Sequence, residues 1–178
     1  SDCYLCPNRG YPRYKESLDA SRGSLILSMT HKAGYVNIIG HPNVGKSTLL
    51  NALLGEKLVI VNPKAQTTRH RILGILNGET HQLILSDTPG ILDPQYPLQK
   101  SMMRAVDEAL NDADILIVLV ELGEKPENAE AVVSRAERFS GPMLVLLNKM
   151  DKGTDAELVT ALEAWEHVFP RAKVVPIS

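Results

Sequence analysis

The sequence predicts an α/β domain built on an open, mostly parallel β-sheet with helices on both faces. Two observations predict this fold class. Short apolar strands alternate with amphipathic helices along most of the chain, and two of the expected strands, 115–120 and 143–147, are apolar throughout. Strands that are apolar on both faces are typical of parallel sheets that are covered by helices on each side.

The expected elements follow one another at short intervals. Strands are predicted at 35–39, 72–76, 82–86, 115–120, 143–147 and 174–177, and helices at 46–54, 98–110, 128–139 and 155–169. On the last helix, four residues recur at helical spacing, which predicts a stripe packed in the core: Leu158, Leu162, Trp165 and Phe169. Because the sequence stops as the sixth strand ends, we expect the domain to be truncated at its C-terminus, without its closing helix.

Size and composition fit a single domain. The chain has 178 residues, a mass of 19.5 kDa and 44% hydrophobic residues, which is enough for a substantial core. A formal net charge of −2 excludes a molecule that binds nucleic acid through an overall basic field. No apolar run reaches the roughly 18 residues that span a bilayer. Two cysteines, Cys3 and Cys6, are too few for a disulfide framework or a four-cysteine zinc site.

The first 28 residues differ in pattern from the rest. They carry scattered charges, several prolines and glycines, and no sustained apolar period. Their apolar stretch at 25–27 is too short for the core of a signal peptide. We therefore interpret 1–28 as a disordered leader or expression-derived extension, and we expect the domain at 29–178, starting from Met29.

A glycine-rich segment between the first strand and the first helix matches the pattern GxxxxGK[ST]. Its glycines let the backbone approach phosphate closely, and the start of a helix favours an anion. Lys46 is expected to reach the β- and γ-phosphates of a nucleotide, and the Ser47 hydroxyl to bind Mg²⁺. The candidate nucleotide-binding residues here are Gly40, His41, Pro42, Asn43, Val44, Gly45, Lys46, Ser47 and Thr48.

A second motif, DTPG, ends the strand 82–86. Its position predicts that the Asp87 carboxylate lies near Mg²⁺ and that the Gly90 amide lies near the γ-phosphate, where it would sense loss of that group. The motif adds four candidate nucleotide-binding residues: Asp87, Thr88, Pro89 and Gly90.

The polar segment 61–71 is interpreted as the first switch, a loop whose order depends on the bound nucleotide. Thr68 is the preferred third Mg²⁺ ligand beside Ser47 and Asp87, and Thr67 is the alternative. The cationic side chains leave two interpretations open, a solvated loop and a partner-binding or catalytic role; these are Lys64, Arg69, His70 and Arg71.

A third motif, NKMD, directly follows the strand 143–147 and predicts which base is bound. The Asp151 carboxylate matches the N1 and exocyclic N2 hydrogens of guanine, whereas adenine offers no such pair. Asn148 is expected to bridge the base and the phosphate loop, and the stem of Lys149 to lie on the purine face. The three motifs together predict a P-loop NTPase of the G-domain type that binds GTP or GDP with Mg²⁺.

At these motifs the chain resembles the Era family, a branch of the translation-factor-related bacterial GTPases. The resemblance rests on the loop GHPNVGKS and on KAQTTRHRI at 64–72, and it extends from Met29 to Ser178. It implies a GTPase that assists assembly and maturation of the small ribosomal subunit and binds its 16S rRNA through a C-terminal KH domain beyond these residues. It also implies a cytoplasmic protein, with peripheral membrane association of the full-length form.

The resemblance carries three further implications for the site. Ser178 would open a fifth motif that contacts guanine. Ile91 stands where many small GTPases carry a glutamine that orients water, a hydrophobic replacement that the family shares. Several relatives instead use K⁺, held partly by an asparagine at the position of Asn43, so we expect slow hydrolysis that is faster in potassium than in sodium. The catalytic candidates are Asn43, Lys46, Thr68 and Gly90.

Three alternatives stay open. The chain could be a nucleotide-sensing module with negligible turnover until a ribosomal partner arrives, and product formation by the isolated protein separates this from a GTPase. A P-loop kinase would carry an arginine-rich lid and would not need Asn148 and Asp151. A related GTPase of ribosome assembly, of the Der type, or of tRNA modification shares the Asn43 loop, although 64–72 favours the Era family. The five histidines show no metal-ligand spacing and are assigned no chemistry.

Overall fold

The computed structural model describes residues 31–56, 68 and 71–178. Six strands form one sheet, namely β1 (Lys32–Ile39), β2 (Ile72–Asn77), β3 (His81–Asp87), β4 (Ile115–Glu121), β5 (Met143–Asn148) and β6 (Lys173–Pro176). Their order is β2-β3-β1-β4-β5-β6, and every neighbouring pair is parallel except the antiparallel pair of β2 and β3. The predicted open, mostly parallel sheet is confirmed.

Helices cover both faces of the sheet. They are α1 (Lys46–Leu54), α2 (Pro97–Asp112), α3 (Glu130–Glu137) and α4 (Asp155–Val168). Successive side chains of a strand point to opposite faces. Accordingly, Ile38 belongs to the apolar cluster that contains Leu50 of α1, whereas Ile39 belongs to the cluster that contains Val106 of α2 and Trp165 of α4. None of these described helices is long and apolar enough to cross a membrane.

The predicted core stripe on the last helix is also confirmed. Trp165 is fully buried, its ring stacks on Phe169 with centroids 6.1 Å apart, and Leu158 and Leu162 pack against the same cluster. A capping box fixes the start of this helix, because the side chains of Thr154 and Glu157 each accept a hydrogen bond from the other residue's backbone N–H.

The helix expected over about 128–139 is present as α3, which is two residues shorter at each end. A 3₁₀ helix, Pro126–Ala129, precedes α3, which ends at Glu137. Proline has no N–H to donate and favours the first turn of a helix, which explains the early start. At the other end, the Phe139 N–H donates to the Ala136 carbonyl at 3.0 Å, a tight turn that ends the α-helical pattern. The other element ends agree with prediction or differ from it by one to three residues, most at β1, which starts at Lys32.

The sheet order brings the predicted motifs to one edge. Four adjacent parallel strands, in the order β3-β1-β4-β5, present their carboxyl ends side by side. β3 ends at Asp87, β4 at Glu121 and β5 at Asn148, and the phosphate loop leaves β1 after Ile39. The crevice outside these strand ends is where α/β sheets bind ligands.

Some predictions fall outside the described residues. These are the leader 1–28, the domain start at Met29, and residues 61–67 and 69–70 of the expected first switch, which include Lys64, Thr67, Arg69 and His70. Thr68 and Arg71 of the same segment are described, and their contacts are given below.

Candidate nucleotide-binding site

The loop from Gly40 to Ser47 joins β1 to α1 and has the backbone shape that its glycines were expected to allow. Gly40 and Gly45 have φ angles of 154° and 109°, which disfavour other residues. A Cβ on Gly40 would lie 2.2 Å from the Leu119 carbonyl oxygen, and one on Gly45 would lie 2.5 Å from Asn148 Nδ2. The loop is therefore packed tightly between β4 and the loop that follows β5.

Lys46 lies across the phosphate loop, with only 6% of its surface exposed. Its Nζ donates to the carbonyl oxygens of Gly40 at 3.1 Å and His41 at 2.8 Å. Burial lowers the pKa of Lys46 from its usual 10.5 to about 8, and the negative charges of Asp87 and Glu124 oppose that shift. A buried ammonium that donates to two neutral carbonyl oxygens is well placed to gain an anionic partner.

Three predicted magnesium ligands meet at one point. Asp87 Oδ2 accepts a hydrogen bond from Ser47 Oγ at 2.7 Å and another from Thr68 Oγ1 at 2.9 Å, and the two hydroxyl oxygens are 3.4 Å apart. Asp87 and Thr68 are buried. The structure places Thr68 beside Asp87, and Thr67, the alternative ligand, lies outside the described residues.

The donor set fits a hard divalent cation. Within the described part of the chain, Asp87 Oδ1 is buried without a hydrogen-bond partner, so a carboxylate oxygen that water does not reach lies beside two hydroxyls. Leaving such an atom unpaired costs free energy, whereas a cation would satisfy it. Mg²⁺ prefers oxygen ligands and keeps several of its own waters, so a carboxylate and two hydroxyls suit it. Ser47, Thr68 and Asp87 would hold the ion.

The sensor segment is fastened to the phosphate loop. The Ile91 N–H donates to the Gly40 carbonyl oxygen at 3.0 Å, and a Cβ on Gly90 would lie 2.7 Å from the Pro42 nitrogen. The Thr88 hydroxyl, fully buried, donates to the Ile38 carbonyl oxygen at 2.7 Å. The Thr88 hydroxyl therefore binds the backbone of β1 rather than a ligand. Gly90 lies directly against Pro42 of the phosphate loop.

Ile91 is fully buried and belongs to the apolar cluster under α2, α3 and α4. Its side chain points into the core and has no polar atom. It therefore cannot orient a water molecule, as its residue type already implied.

The guanine-reading motif lies directly against the phosphate loop. Asn148 Nδ2 donates to the Val44 carbonyl oxygen at 2.7 Å, and Asn148 Oδ1 accepts from the Lys149 N–H at 2.8 Å. Lys149 Nζ donates to the Asn43 carbonyl oxygen at 2.9 Å. The contact of Asn148 with the phosphate loop is therefore present, and its contact with the base stays a prediction. Val44 itself is a core residue, with 2% of its surface exposed.

The last residue of the chain lies at the base reader. Ser178 Oγ donates to Asp151 Oδ1 at 2.9 Å, and the Met150 N–H donates to the Ile177 carbonyl oxygen at 3.3 Å. Asp151 and Ser178 are exposed. The structure thus places Ser178 beside the residue expected to read guanine, as the resemblance implied.

Two remaining phosphate-loop candidates are exposed. Asn43 has a left-handed backbone with φ 64°, which asparagine tolerates better than most residues, and Thr48 lies in the first turn of α1. Pro89 is buried with the rest of the sensor segment.

Arg71 is not a solvated loop residue, and the contacts that the structure shows for it lie outside the candidate site. Its guanidinium donates to Ser86 Oγ at 2.8 Å and to Asp112 Oδ2 at 2.9 Å, and more weakly to Asn37 Oδ1 at 3.3 Å. It also lies over the Tyr35 ring. Arg71 thus fastens the start of β2 to β1, β3 and the end of α2.

The turn after β4 carries two residues that sequence reasoning missed. Glu124 is paired with His41 of the phosphate loop, and Glu121 is paired with Lys149. No chemistry was assigned to the histidines, and the structure gives His41 a partner 83 residues away. The sequence feature that could have predicted these pairs is the presence of acidic residues at the carboxyl end of β4. It can be used only when the sheet order, which places β4 beside β1, is known.

Comparison with known proteins points to one family. A family model described as 50S ribosome-binding GTPase matches residues 35–149. GTPase Era of Syntrophus aciditrophicus is 41% identical over 152 residues, which are 85% of this chain and 50% of that protein. A chloroplastic ERA-like GTPase of Arabidopsis thaliana is also 41% identical, over 83% of this chain and 36% of its own length. The chain spans about half the length of the Era relatives it matches.

Solved structures give the same result. Era in complex with MgGDPNP and nucleotides 1506–1542 of 16S ribosomal RNA superposes with a TM-score of 0.77 at 39% identity, covering 83% of this chain and 51% of that one. A tyrosine-to-alanine variant of Aquifex aeolicus Era bound to GDP and AlF4⁻ gives a TM-score of 0.76 at the same identity and coverage. The predicted G-domain fold is thereby confirmed.

Proposed function

This chain belongs to the GTPase family of the matching model, and from that premise we propose that it binds GTP with Mg²⁺ and hydrolyses it to GDP and phosphate. One observation carries the proposal: Ser47, Thr68 and Asp87 converge at the end of the phosphate loop, while Asn148 and Lys149 contact carbonyl oxygens at its bend. A nucleotide laid along the loop would have its phosphates at the first set and its base at the second.

Recognition of guanine is assigned to Asp151. Its two carboxylate oxygens can accept the N1 and N2 hydrogens of guanine. Ser178 Oγ donates to one of these oxygens and orients the carboxylate, and the Lys149 N–H donates to Asn148 Oδ1 beside it. Adenine would leave the carboxylate without donors, which costs discrimination energy of several kcal/mol. The site therefore favours guanine nucleotides strongly.

Hydrolysis would depend on positioning and electrostatics. Lys46 would exchange its carbonyl partners for phosphate oxygens, and backbone N–H groups of the phosphate loop would hold the β-phosphate. Mg²⁺, when bound, would neutralise phosphate charge. Water would attack the γ-phosphate and GDP would leave, but Ile91 offers that water no polar contact. This accounts for the expected slow rate.

Asn43 is the proposed protein ligand of a K⁺ ion that assists hydrolysis. Support comes from its exposed position at the bend of the phosphate loop, where Lys149 fixes its backbone carbonyl. A monovalent cation there would add positive charge near the β- and γ-phosphates, which the site otherwise obtains from Lys46 and Mg²⁺.

For the whole protein we propose a role in small-subunit ribosome assembly. Support comes from the Era relatives and from the solved Era complex that holds 16S rRNA nucleotides. The RNA contact is assigned to a C-terminal KH domain outside this sequence, and the protein to the cytoplasm with peripheral membrane association. A related GTPase of ribosome assembly or tRNA modification is the alternative, which the sequence after Ser178 would decide.

A nucleotide-sensing module with negligible turnover is the second candidate, and the burial of Ile91 favours it. Phosphate release from GTP by the isolated chain distinguishes the two, with a Lys46→Ala variant as the background. Release above that background supports a GTPase. Tight GDP binding with no release above background supports the sensing module, and absence of binding contradicts both.

A further inference from the structure

The turn that follows β4 links the phosphate loop to the base reader. The Glu124 N–H donates to the Glu121 carbonyl oxygen at 3.0 Å, and the Leu122 N–H donates to the Asn148 carbonyl oxygen at 2.9 Å. Since β4 lies between β1 and β5, this turn sits between the two loops that hold the two ends of a nucleotide.

Glu124 uses both of its carboxylate oxygens in this turn. Oε2 accepts from the Glu121 N–H at 3.1 Å, and Oε1 pairs with His41 Nδ1 at 2.5 Å. Only 10% of the Glu124 side chain and 27% of the His41 side chain are exposed. A carboxylate held at two points and shielded from water fixes its partner's orientation more firmly than a surface pair does.

The His41 backbone in turn supports Lys46. Its carbonyl oxygen accepts from Lys46 Nζ at 2.8 Å, beside the Gly40 carbonyl oxygen. A continuous set of contacts therefore runs from Glu124 through His41 to the ammonium group expected at the phosphates. Glu124 makes no hydrogen bond to Lys46, so its contact with the loop runs through His41, while its negative charge also favours the Lys46 ammonium.

A second carboxylate, that of Glu121 at the end of β4, supports the other side of the phosphate loop through Lys149. Glu121 Oε2 pairs with Lys149 Nζ, which also donates to the Asn43 carbonyl oxygen. His41 and Asn43 are separated by Pro42 alone, so the bend of the phosphate loop is held from both sides by residues 121 and 124.

We propose that Glu124 is a positioning residue: through His41 it holds the phosphate loop in the shape in which Lys46 and the loop amides bind the β-phosphate. The proposal rests on the proposed function, because it concerns the same nucleotide site. Two effects of Glu124 oppose each other. Its negative charge repels phosphate, and its contact with His41 preorganises the loop; we expect the second effect to dominate, because both carboxylate oxygens are already engaged, by His41 and by the Glu121 N–H.

The test measures binding of GDP and GMP to the whole chain by competition with a fluorescent GDP analogue. Glu124→Ala removes both contacts, Glu124→Gln keeps the shape without the charge, and Glu127→Ala is the matched control on an exposed glutamate nearby. His41→Ala breaks the pair from its other end, and the double variant completes a double-mutant cycle. Thermal unfolding of each variant checks that the fold is retained.

The proposal predicts that Glu124→Ala loses about tenfold in GDP affinity with a smaller loss for GMP, which lacks the β-phosphate. Glu124→Gln should recover most of that loss, Glu127→Ala should match the parent chain, and the Glu124→Ala effect should vanish in the His41→Ala background. Unchanged GDP affinity, tighter binding by both Glu124 variants, equal losses for GDP and GMP, or additive effects would overturn it. If the parent chain binds no GDP, the proposed function fails first.

Should Glu124→Ala fail to fold, the His41→Ala and Glu124→Gln variants still decide the matter. His41→Ala must then reproduce the selective loss of GDP affinity, while Glu124→Gln stays close to the parent chain. Any other result contradicts the positioning role.

Discussion

Ser47 donates a hydrogen bond of 2.7 Å to Asp87, although the two residues are 40 positions apart. One begins the helix after β1 and the other ends β3, and the parallel pairing of these strands brings them together. Thr68 joins the same carboxylate oxygen from a third segment. This cluster of two hydroxyls and a carboxylate is the structural basis for the magnesium dependence that we propose.

Replacing Asp87 with Asn should remove that dependence. The neutral amide no longer offers a carboxylate to Mg²⁺, so we expect GTP hydrolysis to fall about 100-fold or more. GDP affinity should become nearly insensitive to EDTA. Phosphate release and calorimetric titration measure the two effects. Asp155→Asn, an equivalent change at the exposed start of α4, should alter neither. Magnesium-dependent turnover that survives in Asp87→Asn would contradict the assigned ligand.

The pH dependence should follow Lys46, whose pKa burial lowers from its usual 10.5 to about 8. Above pH 8 the nucleotide-free native chain loses this proton while the unfolded chain keeps it. The unfolded state then binds more protons, so the free energy of unfolding of the nucleotide-free chain should rise with pH between about 8 and 10.5.

The same pKa predicts proton uptake on GDP binding. Phosphate favours the charged ammonium, so binding above pH 8 must restore the proton, and affinity should fall about fourfold between roughly pH 7 and pH 8.5. Calorimetry in two buffers with different heats of ionisation should show uptake of more than about half a proton at the higher pH and little at the lower. Equal proton uptake at both pH values would contradict the assignment of this uptake to Lys46.

Hydrolysis should be faster in potassium chloride than in sodium chloride of equal concentration. The proposed reason is a K⁺ ion held partly by Asn43 near the transferred phosphate, where added positive charge stabilises the transition state. Asn43→Ala should remove the difference between the two salts and leave GDP affinity within about threefold, because Lys149 contacts only the backbone carbonyl of this residue. Equal rates in both salts would make Asn43 an ordinary loop residue.

Arg71 should matter for stability more than for nucleotide contact. Removing its side chain in Arg71→Ala leaves Ser86 and Asn37 buried without this donor and Asp112 without this partner, so we expect a loss of about 2 kcal/mol in the free energy of unfolding. Arg71→Lys should recover part of it, since one ammonium cannot reach all three. Denaturant unfolding measures both variants, with Arg104→Ala on the exposed side of α2 as the control. An unchanged unfolding midpoint in Arg71→Ala would show that the network around Arg71 contributes nothing to stability.

The fold and the main motifs could be predicted because they depend on local patterns. Both ends of helix α1 agree with the prediction to the residue, because Gly45 and Lys46 define its start and Gly55 its end. The ends of helix α3 do not, because the alternatives at Pro126 differ only in whether the first turn is α-helical or 3₁₀.

Contacts between distant segments were harder to predict. The pairing of His41 with Glu124 and the network around Arg71 require the order of the strands and the face on which each side chain lies. Neither histidine spacing nor the charge pattern of the switch segment contains that information. The Ser47, Thr68 and Asp87 cluster could be predicted because Ser47 and Asp87 belong to recognisable motifs at strand ends, and Thr68 lies in the polar segment interpreted as the first switch.

The claim at the centre of this account is that the site reads guanine, and calorimetric titration of the chain with GDP and with ADP in the presence of Mg²⁺ tests it most directly. We expect GDP to bind at least about 1,000-fold more tightly than ADP, because only guanine supplies two donors to Asp151. Asp151→Ala should remove most of that difference while Asp155→Ala keeps it. Equal affinity for GDP and ADP would contradict the assignment of Asn148, Lys149 and Asp151 as the base-reading motif.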